Sequence, residues 1–297
     1  MSVAVVTDST AYLPDELVMG YGIHVVPLYV VLAGHSGREG CDIAPAEIAR
    51  ALEVRGQSVS TSRPTPGDFV AAYRRALDEG ADHLVSIHLS SELSGTWDAA
   101  RLAASQVGEH IVTVVDSHSA AMGLGFAVLA AARSAAAGAD AATVARAARE
   151  TAEATRTFFV VDTLEHLRRG GRIGAAAAVL GSALAVKPVL HVQDGRVVPL
   201  EKVRTTARAL HRLVQRAVEA AGQGPVSIAV HHLATAERAD RVAAEIRDRL
   251  PQLRELHVSE LGAAIGAHVG PGAVGIVVAP SRKQSAEPTG DADPSVS

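Results

Sequence analysis

The chain of 297 residues is long enough for one large domain or two of medium size. Because 48% of its residues are hydrophobic but only 3% are aromatic, its core must be built mainly from Ala, Val, Leu and Ile. The formal net charge of -4 argues against a general nucleic-acid binder and against membrane attachment through a basic surface. The single cysteine, Cys41, excludes an internal disulfide and a multi-cysteine metal site.

We expect no targeting segment and no insertion into a membrane. The N-terminus has no basic start and soon reaches a polar turn, which is typical of a first strand and not of a signal peptide. The long uncharged runs at 119–132 and 173–186 are shorter than the roughly 18 residues that a membrane span needs, and we interpret both as buried helices. Together with the lone cysteine, these features favour a cytoplasmic location.

In the first half of the chain, short runs of Val, Ile and Leu alternate with longer helical stretches. We predict strands at residues 3–6, 23–31, 83–89 and 111–115. We predict helices at residues 45–54, 66–79, 94–107, 122–138 and 140–155, two of them opened by prolines and the last capped by Asp140. This order of βα units implies a mainly parallel sheet with helices on both faces.

The second half of the chain has a different pattern, because a hairpin with an Asp194-Gly195 turn interrupts the alternation. We predict strands at residues 158–161, 187–192, 196–203, 226–231, 253–258 and 274–278, and helices at 205–221 and 234–250. A short helix ending near residue 172 and an alanine-rich helix precede the hairpin. The sequence thus predicts an α/β protein with two domains, residues 1–156 with a parallel sheet and residues 157–280 with a mixed or antiparallel sheet, followed by a disordered tail at 281–297.

Two hydroxyl-rich loops, residues 60–66 and 90–96, lie where helices are expected to begin, and the second directly follows a strand. Free backbone N–H groups and hydroxyls at such a point favour a bound anion, either a carboxylate or a phosphate. Polar residues at 8–10 and 116–117 should meet them at the carboxyl ends of the strands. An alternative is that all of these residues are ordinary helix caps and turns. The candidate ligand-binding residues in the loops are Thr61, Ser62, Ser94, Gly95 and Thr96.

His268 precedes a Gly-Pro-Gly sequence, which predicts a tight loop from which its imidazole could donate to an anion or act as a base. It could equally be a core histidine bonded to a carbonyl group. The pair His231-His232 has no partners at metal-ligand spacing, so we expect no metal site. A set of basic residues could form either a solvated face or a patch that docks a partner. These basic residues are Arg168, Arg169, Arg172, Lys187, Lys202 and Arg204.

The chain resembles the DegV family, which are bacterial fatty-acid-binding proteins, along nearly its whole length to about residue 280. The order and spacing of several short segments carry the resemblance. These segments are TDST at 7–10, TSRP at 61–64, SSELSGT at 90–96, VDS at 115–117, LRRGGRI at 167–173, KP at 187–188, KVRT at 202–205 and GAHVGPG at 266–272.

The resemblance implies a two-domain α/β protein that encloses one long-chain fatty acid, such as palmitate, as a ligand and uses no cofactor. The carboxylate would meet Thr61 and Ser94 with His268 nearby, and the acyl tail would enter an apolar tunnel between the domains. Small residues at 174–185 would leave room for it. Some members of the family present the fatty acid to a separate kinase subunit, which makes an acyl phosphate.

Three functions therefore compete on the sequence. The first is a fatty-acid carrier without its own catalytic motif, consistent with the lack of a Gly-x-x-x-x-Gly-Lys-Ser/Thr or Gly-x-Ser-x-Gly sequence. The second is a serine hydrolase with Ser94 as nucleophile, His268 as base and Asp8 or Asp116 as the orienting carboxylate. The third is an interaction module whose basic patch binds an acidic partner without lipid.

Overall fold

Two large β-sheets organise the part of the chain that the computed structural model describes, which comprises residues 2–54, 59–174 and 186–280. The strands are β1 (Val3–Asp8), β2 (His24–Val26), β3 (Tyr29–Leu32), β4 (His35–Arg38), β5 (Val59–Ser62), β6 (His83–His88), β7 (Val112–Asp116), β8 (Arg156–Val160), β9 (Lys187–Gln193), β10 (Arg196–Val203), β11 (Val226–His232), β12 (Leu253–Glu260) and β13 (Val274–Pro280).

The predicted helices lie where expected, with ends that differ by one or two residues in most cases, whereas α1 and α10 are not predicted. The helices are α1 (Asp15–Gly20), α2 (Pro45–Glu53), α3 (Pro66–Asp78), α4 (Thr96–Val107), α5 (Met122–Ala136), α6 (Ala141–Ala154), α7 (Glu165–Arg169), α8 (Thr206–Ala221), α9 (Ala236–Arg249) and α10 (Ala263–Val269). The predicted tail, 281–297, and most of the predicted alanine-rich helix lie outside the described residues.

The first sheet has the strand order β2-β1-β6-β7, and all of its neighbouring strands are parallel. Most residues of β1 and β6 are buried, as a parallel sheet covered by helices on both faces requires. Helices α3 and α4 pack on one face through residues such as Phe69 and Ala100, and α5 and α6 pack on the other through residues such as Leu124 and Val144. The predicted parallel α/β arrangement of the N-terminal half is confirmed.

The second sheet has the strand order β10-β9-β8-β13-β11-β12 and is mixed, because only β11 and β12 run parallel. The predicted hairpin joins β9 to β10 through Asp194 and Gly195, whose φ angles of 50° and 77° suit a two-residue hairpin turn. Helices α8 and α9 cover one face, while α5 and α6 lie against Ala229 and Val277 on the other. Because α5 and α6 contact both sheets, the division of the chain near residue 156 stays a prediction.

The region of residues 23–62 differs from the sequence-based expectation. One strand is predicted over 23–31, but the structure has two strands there, β2 and β3, in different sheets. Pro27 separates them, because proline has no N–H group to donate to a ladder. Strand β3 pairs with β4 and β5 in a small antiparallel sheet, and neither of these partners is predicted. Thr61 therefore lies on a strand, opposite Val30, and not in a loop.

Candidate functional site

A cavity with an empty volume of about 930 Å³ takes its walls from both halves of the chain. The first half contributes Leu28, Leu89 and Leu93, and the second half contributes residues such as Leu167 and Val197. The polar residues of the lining are Thr10, Thr61, Ser94, Thr157, Arg172, His231 and His268.

Thr61 and His268 form a hydrogen-bonded pair on the cavity wall, with Thr61 Oγ1 and His268 Nε2 separated by 2.8 Å. Burial and, secondarily, the charge of Arg172 lower the pKa of His268 to about 4, so the imidazole is neutral at pH 7. Its Nδ1 atom is buried without a partner among the described residues. Because a buried N–H without a partner is rarer than a buried acceptor without one, we assign the proton to Nε2, which donates to Thr61. The hydroxyl of Thr61 can then donate into the cavity.

Arg172 supplies a positive charge to the same end of the cavity. Its Nε donates to the carbonyl of Leu93 over 3.1 Å, and its Nη1 donates to the carbonyl of Gly170 over 2.6 Å. Gly170 lies directly against the ring of His268, because a Cβ atom at this position would come within 2.1 Å of Nδ1. The sequence predicts Arg172 in either a solvated face or a docking patch, whereas its contacts place it in the cavity wall beside His268.

Ser94 lines the cavity and also supports the beginning of α4. Its Oγ accepts a hydrogen bond from the backbone N–H of Thr96 at 3.3 Å and lies 2.9 Å from Thr96 Oγ1. The capping interpretation and the ligand-binding interpretation are therefore compatible at this residue. The other predicted loop residues do not line the cavity: Thr96 is buried behind Ser94, Ser62 is exposed, and Gly95 packs against Arg63.

Four of the other basic residues lie on the surface, whereas Lys187 is half-buried and donates to the carbonyl of Asp162 over 2.7 Å. Arg168 and Arg169 are exposed and both form ion pairs with Glu165, at 2.6 and 2.9 Å. Hydrogen bonds from these arginines lower the pKa of Glu165 to about 2. Lys202 and Arg204 are exposed at the end of β10. A docking role for these residues stays a prediction.

His268 lies on helix α10, although the sequence predicts a loop there. The first turn of α10 has no capping side chain of its own, and residues far away in the sequence satisfy its N–H groups. Glu39 Oε1 accepts from the N–H of Ala264 over 2.7 Å, and the hydroxyl of Tyr12 accepts from the N–H of Ile265 over 3.2 Å. Tyr12 in turn donates to Glu39 over 3.0 Å. This network holds the helix that carries His268 against the N-terminal half.

His231 is a second histidine of the lining, but its ring nitrogens are both engaged. The backbone N–H of Met122 donates to Nε2 over 3.2 Å, so Nδ1 carries the proton and donates to Ser259 Oγ over 3.1 Å. Burial lowers the pKa of His231 to about 4. Its hydrogen bond with Met122 satisfies the first N–H group of α5, so we interpret the role of His231 as structural.

The hydrogen bonds that the serine-hydrolase hypothesis needs are not formed between its candidate residues. Ser94 and His268 each pair with a different hydroxyl, and Asp116 accepts from backbone N–H groups of Ser91 and His118. Asp8 is fully buried and lies 3.0 Å from the Nδ1 of another histidine, His88.

Among residues 2–54, 59–174 and 186–280, no group of His, Cys, Asp and Glu side chains could hold a metal ion. The helices within these ranges include none that is long and apolar enough to cross a membrane.

The chain is similar to known proteins along nearly its whole length. The family model described as "Uncharacterised protein, DegV family" matches residues 2–281. A DegV domain-containing protein of Streptomyces coelicolor is 54% identical over 276 residues, which cover 93% of this chain and 98% of the relative. Similar solved structures include a fatty-acid-binding DegV family protein from Thermus thermophilus, with 36% identity, a TM-score of 0.90 and coverage of 95% and 100% of the two chains. DegV, a fatty acid binding protein from Bacillus subtilis, has 36% identity, a TM-score of 0.86 and the same coverage. The chain therefore belongs to the DegV family.

Proposed function

We propose that this protein binds one long-chain fatty acid, such as palmitate, in the cavity between its two halves. The observation that carries the proposal is the amphiphilic lining, in which Arg172, Thr61 and His268 lie together at one end of an otherwise largely apolar cavity. The fatty acids bound by the similar proteins from Thermus thermophilus and Bacillus subtilis support it.

The carboxylate would accept hydrogen bonds from the hydroxyls of Thr61 and Ser94, next to the charge of Arg172. His268 is neutral at pH 7 and therefore contributes no positive charge. Its role would be to orient the hydroxyl of Thr61 by donating a hydrogen bond to it. The charge of Arg172 would then balance that of the carboxylate. A neutral alcohol of the same chain length would lose that electrostatic contribution.

The acyl tail should supply most of the affinity. Burying about 14 methylene groups of a 16-carbon chain is worth roughly 11 kcal/mol before the costs of association, at about 0.8 kcal/mol per methylene. A hydrogen bond to a charged head group adds only about 1.5–3 kcal/mol. The polar end of the cavity therefore sets the orientation of the ligand and its preference for an acid.

The second part of the proposal is that the protein presents the carboxylate to a separate fatty acid kinase for acyl-phosphate formation. The chain contains no phosphate-binding Gly-x-x-x-x-Gly-Lys-Ser/Thr sequence, which is consistent with a phosphoryl donor bound by a partner. The candidate docking residues are the exposed cations Arg168, Arg169, Lys202 and Arg204. The cytoplasmic location stays a prediction.

Lipid extraction followed by mass spectrometry tests the first part. Freshly purified protein should release a fatty acid, and delipidated protein should bind palmitate in titration calorimetry. A protein that carries no lipid and ignores added palmitate would exclude the carrier function.

Charge reversal separates binding from docking. Arg172→Glu should weaken palmitate binding, because it places a second negative charge beside the carboxylate. Arg169→Glu, at an exposed residue outside the cavity, should leave palmitate binding unchanged and weaken only association with a kinase partner. Loss of partner binding with no dependence on lipid loading would instead favour the interaction module.

A further inference from the structure

Gly275 is a glycine of the cavity lining that neither its backbone conformation nor its packing requires. It is buried in β13, and its φ angle lies outside the left-handed region that favours glycine. Among the described residues, a Cβ atom here would meet only the carbonyl oxygen of Phe158 and the Cβ of Phe159, both at an ordinary distance of 3.5 Å. At Gly272, by contrast, a Cβ would come within 2.0 Å of a carboxylate oxygen. A glycine inside a strand often marks a place where a ligand comes close to the backbone.

The register of the second sheet shows where a side chain at position 275 would point. Gly275 lies opposite Phe159 of β8 on one side and opposite His231 of β11 on the other. Residues directly opposite each other in antiparallel strands point to the same face of the sheet. Phe159 and His231 both line the cavity, so the missing side chain leaves a gap in the cavity wall between them. Neighbouring strands are about 4.8 Å apart, so the gap separates two backbones by about 10 Å.

The gap suits an acyl chain better than a carboxylate. Both ring nitrogens of His231 are hydrogen-bonded within the protein, and the other flank is the ring of Phe159. No atom of the residues proposed to bind the carboxylate lies within 4 Å of the Cβ position of Gly275. These residues are Thr61, Ser94, Arg172 and His268. The gap therefore offers methylene groups an apolar surface and a close approach to the main chain.

We infer that Gly275 determines which acyl chains the cavity accepts, because the chain passes over its backbone through the gap between Phe159 and His231. The inference rests on the proposed fatty-acid binding. A larger residue at position 275 would occupy space that the methylene groups of a long acid need, and extra atoms in a closely packed space weaken binding. A shorter acid leaves part of the cavity free and can shift away from the added atoms.

Titration calorimetry of delipidated protein with hexadecanoic acid and decanoic acid tests the inference. The wild type should prefer hexadecanoic acid, because each additional buried methylene adds affinity. Gly275→Val should weaken binding of hexadecanoic acid by about tenfold or more and that of decanoic acid by less than about threefold. Gly275→Ala, which adds one carbon at an ordinary contact distance, should weaken hexadecanoic acid by about threefold and decides the question if the valine variant does not fold.

Ala279→Val is the matched control, since it enlarges a buried residue on the same face of β13 that does not line the cavity. It should leave the affinity for both acids unchanged. The preference of the Gly275 variants for palmitate over 1-hexadecanol should also stay at the wild-type value, because the head group is not affected.

Three results would overturn the inference and leave the proposed function standing. They are unchanged binding of hexadecanoic acid by the Gly275 variants, an equal loss for the two acids, and a loss of the preference for acid over alcohol. If the wild type binds neither acid, the proposed function and the inference fail together.

Discussion

Two histidines of this protein are each hydrogen-bonded to a hydroxyl, but their surroundings differ. His88 lies 2.6 Å from Ser86 Oγ and 3.0 Å from Asp8 Oδ2, and all three residues are 0% exposed. Tyr73 donates to Ser86 over 2.9 Å and closes the network. His268 contacts one hydroxyl, that of Thr61, keeps a buried nitrogen without a partner, and faces a cavity.

The difference shows that side chains hydrogen-bonded as in a catalytic triad do not by themselves form an active site. Asp8, His88 and Ser86 have the order of a catalytic triad, yet no substrate can reach Ser86 and each group has its partners within the fold. The pair of Thr61 and His268 has unused hydrogen-bonding capacity on a surface where a ligand fits. We therefore interpret the sealed network as structural and the open pair as part of the proposed binding site.

The largest effect should come from removing the carboxylate of the sealed network. Asp8→Ala leaves His88 and the backbone N–H groups of Thr10 and Leu89 without their buried acceptor, which should lower the free energy of unfolding by about 3–5 kcal/mol in urea titrations. Asp140→Ala, at the cap of α6, is a matched control that should cost only about 1 kcal/mol. Near wild-type stability of Asp8→Ala would refute the structural role.

Removing the hydroxyl groups of Thr61 and Ser94 should change which lipid the protein prefers. The double variant Thr61→Ala with Ser94→Ala should lower the preference for palmitate over 1-hexadecanol by about 10- to 30-fold, because it removes hydrogen bonds to a charged group. Total uptake of either lipid should fall less, since the tail supplies most of the affinity. Competition titrations measure the ratio, with the exposed Ser62→Ala as control. An equal loss of affinity for both lipids would contradict the proposal that the hydroxyls set the preference for an acid while the tail supplies most of the affinity.

Much of the fold is predictable because its signals are local. Alternating apolar runs predict the strands of both large sheets, and Asp140 does cap α6, accepting from the N–H of Thr143. The small antiparallel sheet escapes prediction, because β4 and β5 are short and rich in polar residues, and their pairing with β3 depends on packing.

The site is less predictable, because its geometry depends on contacts between distant segments. Thr61, Ser94 and His268 come from motifs and do line one cavity. Arg172 resembles its neighbours Arg168 and Arg169 in sequence, and only the fold turns it towards His268. Glu39 supports α10 through Ala264, 225 positions later, and no local pattern indicates such a contact.

The lowered pKa of His268 should also make the free energy of unfolding depend on pH. The pKa of His268 is about 4 in the folded protein and about 6.5 in an unfolded chain, so between these values the unfolded chain binds a proton that the folded protein does not. Stability must therefore fall as the pH falls through this window. His268→Asn should reduce the loss between pH 7 and pH 5 by about 2 kcal/mol.

Urea titrations at both pH values measure this difference. His35→Asn, which removes an exposed histidine on β4, is the control and should lose as much stability as the wild type. His231 contributes a similar loss to all of these proteins, because burial also lowers its pKa to about 4. If His268→Asn and the wild type lose the same stability, then His268 is not held neutral by its surroundings.

The smallest expected effect is a null result with a fluorophosphonate probe, which labels activated serines. A serine nucleophile needs both a hydrogen-bonded base and access for the reagent. Ser86 has a histidine at 2.6 Å but no access, whereas Ser94 has access to the cavity but bonds to Thr96 while His268 is engaged by Thr61. Peptide mass spectrometry should find neither serine labelled under conditions in which an added serine hydrolase reacts fully. Labelling of Ser94 that disappears in His268→Asn would reverse the comparison, since the open pair would then be a catalytic site and the bound acid its product.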